Sequence, residues 1–300
     1  MLFRFNSYCK KLLNISNKVV KDRVKCWRNC CSSTSLPEIM KEFSKYSGGQ
    51  IKLLQDDECG IAYLCLDNPD KRNALTGKMM VQLSEFVTQL ENWKNGKAMI
   101  LYSQGNTFCS GADLTTVKNI RDPEGAARLS HLMHSTLYRL STLPLITVAL
   151  IQGKALGGGA ELSLACDFRL LAPSASIQFV QLKMGTITGF GGATRLVGLL
   201  GQTTALKVLL SSQKLDATEA LKSKLADEVL SENEDLLEQT KHWLDPYLHG
   251  SSEVIRAMKK AVAYAAWSNS ENSFSNERRL FSTVWGGPAN LEALKKNIKH

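Results

Sequence analysis

The sequence predicts an α/β core with a helical extension at its C-terminal end. Three observations predict it. Strand-like and helix-like apolar patterns alternate from about residue 51 to residue 180, glycine-containing turns separate them, and beyond Gly192 the pattern is almost entirely helical. The chain divides into a basic leader over 1–35, expected to be disordered, a core over 48–240 and a C-terminal helical region over 241–300.

Each element has its own signal. Residues 51–54 and 61–66 read as two strands, with Asp56-Asp57-Glu58-Cys59-Gly60 as the turn between them. Asn68-Pro69-Asp70 breaks the chain. Met79, Met80, Leu83, Phe86, Val87 and Leu90 recur at helical spacing over 76–93, and Thr76 fits the N-cap. Residues 97–102 read as a buried strand, 124–140 as a helix and 145–151 as a strand introduced by Pro144. A glycine-rich turn follows, then a helix over about 158–166 and short strands over 168–171 and 177–180. The helical reading after Gly192 runs through Leu244 to about Lys296.

Composition bounds the function. A hydrophobic share of 44% in 300 residues is ample for a packed core. No apolar run approaches the roughly eighteen residues that a membrane span needs. The net charge of +9 raises nucleic acid as a partner, but residues 1–35 hold eight Lys/Arg against the single acid Asp22. The remainder carries 29 basic and 27 acidic residues, so no basic duplex-binding face is expected. The leader, poor in acids and dotted with Ser and Asn, reads as a mitochondrial transit peptide or as a disordered basic extension without function. Cys9, Cys26, Cys30 and Cys31 fall in it, and Cys59, Cys65, Cys109 and Cys166 are scattered among apolar residues. That distribution suits free thiols in a reducing compartment. His131 and His134 could form half a metal site, but no convergent ligand completes it, so no metal is expected.

Two turns carry the chemistry. Gly157-Gly158-Gly159 follows a strand and opens a helix, where a free N–H and the positive end of the helix dipole face outward. It is neither a dinucleotide fingerprint nor a phosphate loop. Phe108-Cys109-Ser110-Gly111-Ala112-Asp113-Leu114 also follows a strand. It lacks the elbow of a nucleophilic serine, so Cys109 and Ser110 are read as packing residues. What the two turns share is exposed backbone N–H groups, and two such donors are enough to hold a developing oxyanion.

With these motifs, the chain from about residue 51 onward resembles the enoyl-CoA hydratase/isomerase (crotonase) superfamily. Further matching stretches are Asn68-Pro69-Asp70-Lys71-Arg72-Asn73-Ala74-Leu75, Ala165-Cys166-Asp167-Phe168-Arg169 and Gly191-Gly192-Ala193-Thr194-Arg195-Leu196. The resemblance implies a crotonase-like spiral of ββα units with C-terminal helices that trimerise, as a homotrimer or a dimer of trimers. It implies an acyl-CoA thioester as ligand and no separate cofactor. The N–H groups of Ala112 and Gly158 would hold the thioester carbonyl. Arg72, Ala74 and Leu75 would lie along CoA, with Asp113, Leu114, Gly157 and Gln181 completing the substrate site. Arg72 reads equally as a phosphate contact and as a solvated cation, and Asp113 as a residue that bonds its own turn.

The residues beyond the oxyanion pair choose the reaction. Hydratases of the superfamily use two glutamates, as acid–base addition of water requires. Glu161 matches the first, but Gln181 stands where the second would fall, and Lys183 is the other titratable group nearby. A glutamine cannot exchange a proton near neutral pH. Loss of CO2 from a malonyl-type thioester needs no base to begin, only a stabilised enolate. Asn276-Glu277-Arg278-Arg279, the stretch from Thr283 through Trp285-Gly286-Gly287-Pro288 to Ala293, and Lys214-Leu215-Asp216 resemble the ethylmalonyl-CoA decarboxylases. That resemblance implies decarboxylation of ethylmalonyl-CoA to butyryl-CoA, less efficiently of methylmalonyl-CoA, as metabolite repair in the cytosol. The leader by itself implies the mitochondrial matrix. Glu161 would position or deliver a proton to the enolate, or cap a polar network. The alternatives are an enoyl-CoA hydratase/isomerase and a non-catalytic binding protein of the same fold.

Overall fold

The computed structural model describes residues 34–266 apart from position 121. Residues 1–33 of the basic leader, with its four cysteines, and the motif at 276–293 therefore lie outside the described residues. The first element is α1 (Leu36–Phe43), which the sequence reading did not assign. Its signal was present: Glu38 accepts from both the Ser35 N–H and hydroxyl at 2.8 Å, an N-terminal clasp four residues into a Ser-x-x-Glu pattern. Ile39 and Phe43 are buried in the core.

Strands β1 (Gln50–Asp56) and β2 (Ile61–Asp67) pair antiparallel, closed by the expected turn, where Asp56 accepts from the Glu58 and Cys59 N–H groups. Helix α2 (Gly77–Asn92) starts at Thr76, whose hydroxyl accepts from Met79 N at 3.3 Å. Then follow β3 (Ala98–Ser103), α3 (Leu114–Asn119), α4 (Pro123–Ser141), β4 (Ile146–Ile151), β5 (Lys154–Leu156), α5 (Gly158–Ser163), β6 (Phe168–Leu171) and β7 (Ser176–Gln178). The chain continues through α6 (Gly192–Ser211), which is broken at Gly201 (φ 74°, ψ 162°), β8 (Lys214–Asp216), α7 (Ala217–Lys222), β9 (Glu228–Val229), α8 (Leu236–Leu244) and α9 (Ser252–Ala265).

The larger sheet has the order β1-β2-β3-β4-β6-β9 and is parallel except at β1-β2, and β5-β7-β8 form a smaller sheet. Both faces of the larger sheet are covered. Met99, Leu101, Ala149 and Ile151 face α1, α2 and α4, while Ala98, Ile100, Val148 and Leu150 face the side of α8. That double burial makes residues 97–102 an unbroken apolar run rather than an alternating one.

The almost wholly helical reading after Gly192 is corrected by β8 and β9. Strands of three and two residues are too short to show a period of two, and their partners come from distant parts of the chain. The segment α3, Leu-Thr-Thr-Val-Lys-Asn, was also missed, because only its cap Asp113 marks it as a helix. No helix among the described residues is long and apolar enough to cross a membrane.

Candidate functional site: two facing turns and a buried carboxylate

The site is assembled by backbone pairing between segments far apart in sequence. Asn68 and Asn73 pin the loop before α2. The Asn68 N–H donates to Asn73 Oδ1, and Asn73 Nδ2 donates to the Gln104 and Thr107 carbonyls. Arg72 and Asn73 both take the left-handed conformation, with φ of 53°. The loop is then stitched to the Ser-Gly-Ala-Asp turn. The Ser110 N–H donates to Arg72 O, Leu75 N–H to Gly111 O, and Asp113 N–H to Leu75 O. The far side of that turn is tied to β5, with Cys109 N–H donating to Lys154 O and Leu156 N–H to Cys109 O.

This arrangement leaves two donors over. Among the described residues neither the Ala112 N–H nor the Gly158 N–H has a protein acceptor. The turns that carry them touch: a Cβ on Gly111 would lie 3.1 Å from the Gly158 nitrogen. Gly157, with φ 52° and ψ −117°, takes a backbone conformation that side chains with a Cβ avoid. Gly159 leaves no room for one, because a Cβ there would fall 2.1 Å from the Cys109 carbonyl. Ala112 and Gly158 are half-buried, and both line one cavity of about 270 Å³. Two convergent N–H groups in such a hollow can polarise a carbonyl oxygen as negative charge builds on it.

Glu161 lies one turn into α5 and lines the same cavity, 2% exposed. Its Oε2 accepts from the Phe190 and Gly192 N–H groups at 2.8 Å each, so the carboxylate also caps α6. Its Oε1 accepts from Gln181 Nε2 at 2.8 Å. Burial pushes the Glu161 carboxyl above its ordinary value, and those hydrogen bonds only partly oppose the shift. Arg195, mostly buried on α6, donates to the Phe190 carbonyl at 2.8 Å.

The other predicted residues fall into three places. Gln181 lines the cavity with Ala112, Gly158 and Glu161. Leu75 and Gly157 shape the turns; Leu75 is fully buried and both its backbone groups are bonded, so it holds the turn from behind. Asp113 caps α3, with Oδ1 accepting from Thr116 N–H at 2.9 Å and Oδ2 lying 3.5 Å from Lys71 Nζ. Burial pulls its carboxyl upward, but the Thr116 N–H and Lys71 outweigh that and leave it below the ordinary value. Arg72 is exposed, Ala74 buried and Leu114 exposed; none of the three lines the cavity. Lys183 is exposed and does not reach it either.

The apolar wall was not anticipated. Val117, Ile120, Ala126, Leu129 and Ile187 line the hollow, and the Phe190 ring packs against Gly158, where a Cβ would lie 2.7 Å away. Helical periodicity in α4 shows which face is apolar but not that part of it faces a cavity. A larger hollow of about 450 Å³ beside α9 includes Asp167 and Phe168 of one motif but none of the residues expected to act on substrate. Cys59, Cys65, Cys109 and Cys166 are free thiols, and among the described residues no group of three or more His, Cys, Asp or Glu could hold a metal. Among the described residues His131 and His134 thus have no further ligand with them.

The family model for enoyl-CoA hydratase/isomerase matches residues 56–287. The chain belongs to that family. Within the enoyl-CoA hydratase/isomerase family, it is 48% identical over 265 residues to the ethylmalonyl-CoA decarboxylase of Mus musculus, covering 88% of this chain and 82% of the relative. Identity to the ethylmalonyl-CoA decarboxylase of Homo sapiens is 47%, covering 87% and 86%. The fold is that of solved enoyl-CoA hydratases. The one from Bacillus anthracis superposes with a TM-score of 0.75 at 26% identity, covering 83% of this chain and 95% of that one. That from Thermoplasma volcanium gives 0.74 at 25%, covering 83% and 97%.

Proposed function

We propose that this protein decarboxylates ethylmalonyl-CoA to butyryl-CoA, and methylmalonyl-CoA less well, through a thioester enolate. The observation that carries this reading is the pairing of Gln181 with Glu161, which leaves one carboxylate in the cavity where adding water would ask for two. Relatives at 46–48% identity over most of the chain bear the name ethylmalonyl-CoA decarboxylase, which supports it.

The thioester carbonyl accepts from the Ala112 and Gly158 N–H groups. The bond from the α-carbon to the carboxylate breaks, CO2 leaves, and the electron pair becomes an enolate whose oxygen those donors hold. Each donor is worth about 3 kcal/mol of barrier in sites of this type. The apolar wall around Phe190 and Leu129 favours the change from carboxylate to neutral CO2. Glu161 supplies or positions the proton that quenches the enolate. The chemistry asks for neither a metal nor an organic cofactor.

The biological setting belongs to the same proposal. The activity removes side products of acyl-CoA carboxylation in the cytosol, the matrix being the alternative that the basic leader raises. A fluorescent fusion to residues 1–40 separates the two. The working unit is a homotrimer or a dimer of trimers, supported by the exposed apolar residues Val197, Leu199, Leu206 and Leu210 on α6. Offering the purified protein ethylmalonyl-CoA and crotonyl-CoA side by side tests the reaction. CO2 release with slow hydration is expected, and rapid hydration without CO2 release would instead assign it the chemistry named in its solved structural neighbours.

A further inference from the structure

Gln181 is 8% exposed and lines the cavity, yet its Oε1 has no hydrogen-bond partner among the described residues, while its Nε2 is spent on Glu161 Oε1. Leaving a buried acceptor without a partner forfeits its hydration, so this oxygen calls for a donor. A carboxylated substrate brings the opposite. Its carboxylate is a second acceptor and a second anion entering a hollow that already holds Glu161. Two carboxylates sharing a low-dielectric site do not both ionise readily.

One proton resolves both conflicts. Glu161 Oε2 is held by the Phe190 and Gly192 N–H groups, and Oε1 accepts from Gln181 Nε2, with the Gly189 backbone N–H also acting on the carboxylate. A proton on Oε1 leaves the two backbone bonds intact and turns that oxygen into a donor. The Gln181 amide, rotated by half a turn, then accepts it through its own Oε1 and presents its NH2 to the cavity.

We propose that a carboxylated thioester enters this site together with a proton, which settles on Glu161 as Gln181 turns its NH2 toward the substrate carboxylate. The proposal rests on the decarboxylase reading above and names its proton donor. When CO2 leaves, the bond between α-carbon and carboxylate breaks and its electron pair becomes the enolate. The O–H bond of Glu161 then breaks, a C–H bond forms at the α-carbon, and Gln181 turns back to the regenerated carboxylate. The proton taken up on binding is the one that the overall reaction consumes.

The charged surroundings suit a site that is ionised when empty and protonated when filled. Arg195 from α6 is drawn to Glu161, burial together with Arg195 lowers the proton affinity of His134 on α4, and burial keeps the Cys166 thiol protonated. Gln181 is the neutral partner from the loop before Leu182. Burial raises the proton affinity of Glu161, and a second anion in the same hollow acts in the same direction.

Titration calorimetry of the full chain, in mildly alkaline buffers of different ionisation heat, counts the protons. The probes are 2-sulfobutyryl-CoA, whose sulfonate keeps the charge and cannot leave as CO2, and butyryl-CoA, which has no second anion. Uptake approaching one proton per site is expected with the sulfonate and none with butyryl-CoA, and Glu161→Gln should abolish the uptake. Gln181→Leu keeps Glu161 and its cap on α6, and should weaken the sulfonate by on the order of tenfold or more while leaving butyryl-CoA binding nearly unchanged. Sulfonate binding without proton uptake, or equal uptake with both ligands, would overturn the proposal. Should ethylmalonyl-CoA yield no CO2 at all, the functional reading beneath it fails instead, a result visible in a separate assay.

Discussion

Gln181 Nε2 donates to Glu161 Oε1 across 2.8 Å, joining a loop residue to a helix residue twenty positions earlier in the chain. This contact fixes the cavity's chemical character, since it places a neutral amide beside the one carboxylate that, among the described residues, faces the oxyanion turns.

Replacing Gln181 with Glu puts two carboxyl groups at that distance. They cannot both ionise, so one stays protonated and the pair gains an acid and a base. Hydration of crotonyl-CoA should rise and CO2 release from ethylmalonyl-CoA should fall, both read from initial rates. No gain in hydration would show that the Gln181 loop is misplaced relative to the substrate.

Gly158 separates the donor from its surroundings. Proline is tolerated at the first position of a helix, so Gly158→Pro removes the N–H while preserving α5. Its kcat should drop by about a hundredfold or more, from loss of one oxyanion donor. Gly158→Ala keeps the N–H but sets a methyl 2.7 Å from the Phe190 ring, so it should lose less as the ring shifts. Circular dichroism of both variants confirms the fold, and equal losses would assign the effect to crowding.

Asp113 contributes stability with a defined pH dependence. Its carboxyl sits below the ordinary value in the folded protein, so its contribution is present above the unfolded value and is lost as pH falls through the folded one. Asp113→Ala should cost about 1 kcal/mol near neutral pH by removing the α3 cap. That gap should close in acid, as followed by urea melts of both proteins.

The exposed side chains Leu206 and Leu210 on α6 test the assembly. Substituting both with Glu places charge on the apolar face and, on the proposed trimer, should shift the sedimenting species toward monomer. An unchanged mass would move the interface elsewhere.

Much of this architecture was legible because local signals agreed with the global fold. The Thr76 cap, the apolar run at 97–102 and the glycines at 157–159 each carry their reason in a few adjacent residues. What stayed hidden depends on distant parts of the chain. β9 is a strand only because β6 is beside it, Phe190 matters only because Gly158 has no side chain, and α4 walls a cavity only because the 186–190 loop folds opposite. The sequence placed Gln181 in the site, but its bond to Glu161 and its orphaned oxygen exist only in three dimensions.

The central claim, an enolate formed by CO2 loss and quenched at the α-carbon, is tested most directly by turnover of ethylmalonyl-CoA in D2O. The account predicts CO2 together with butyryl-CoA carrying a single deuterium at C2. Recovered ethylmalonyl-CoA, alongside conversion of crotonyl-CoA to 3-hydroxybutyryl-CoA by the same preparation, would contradict it.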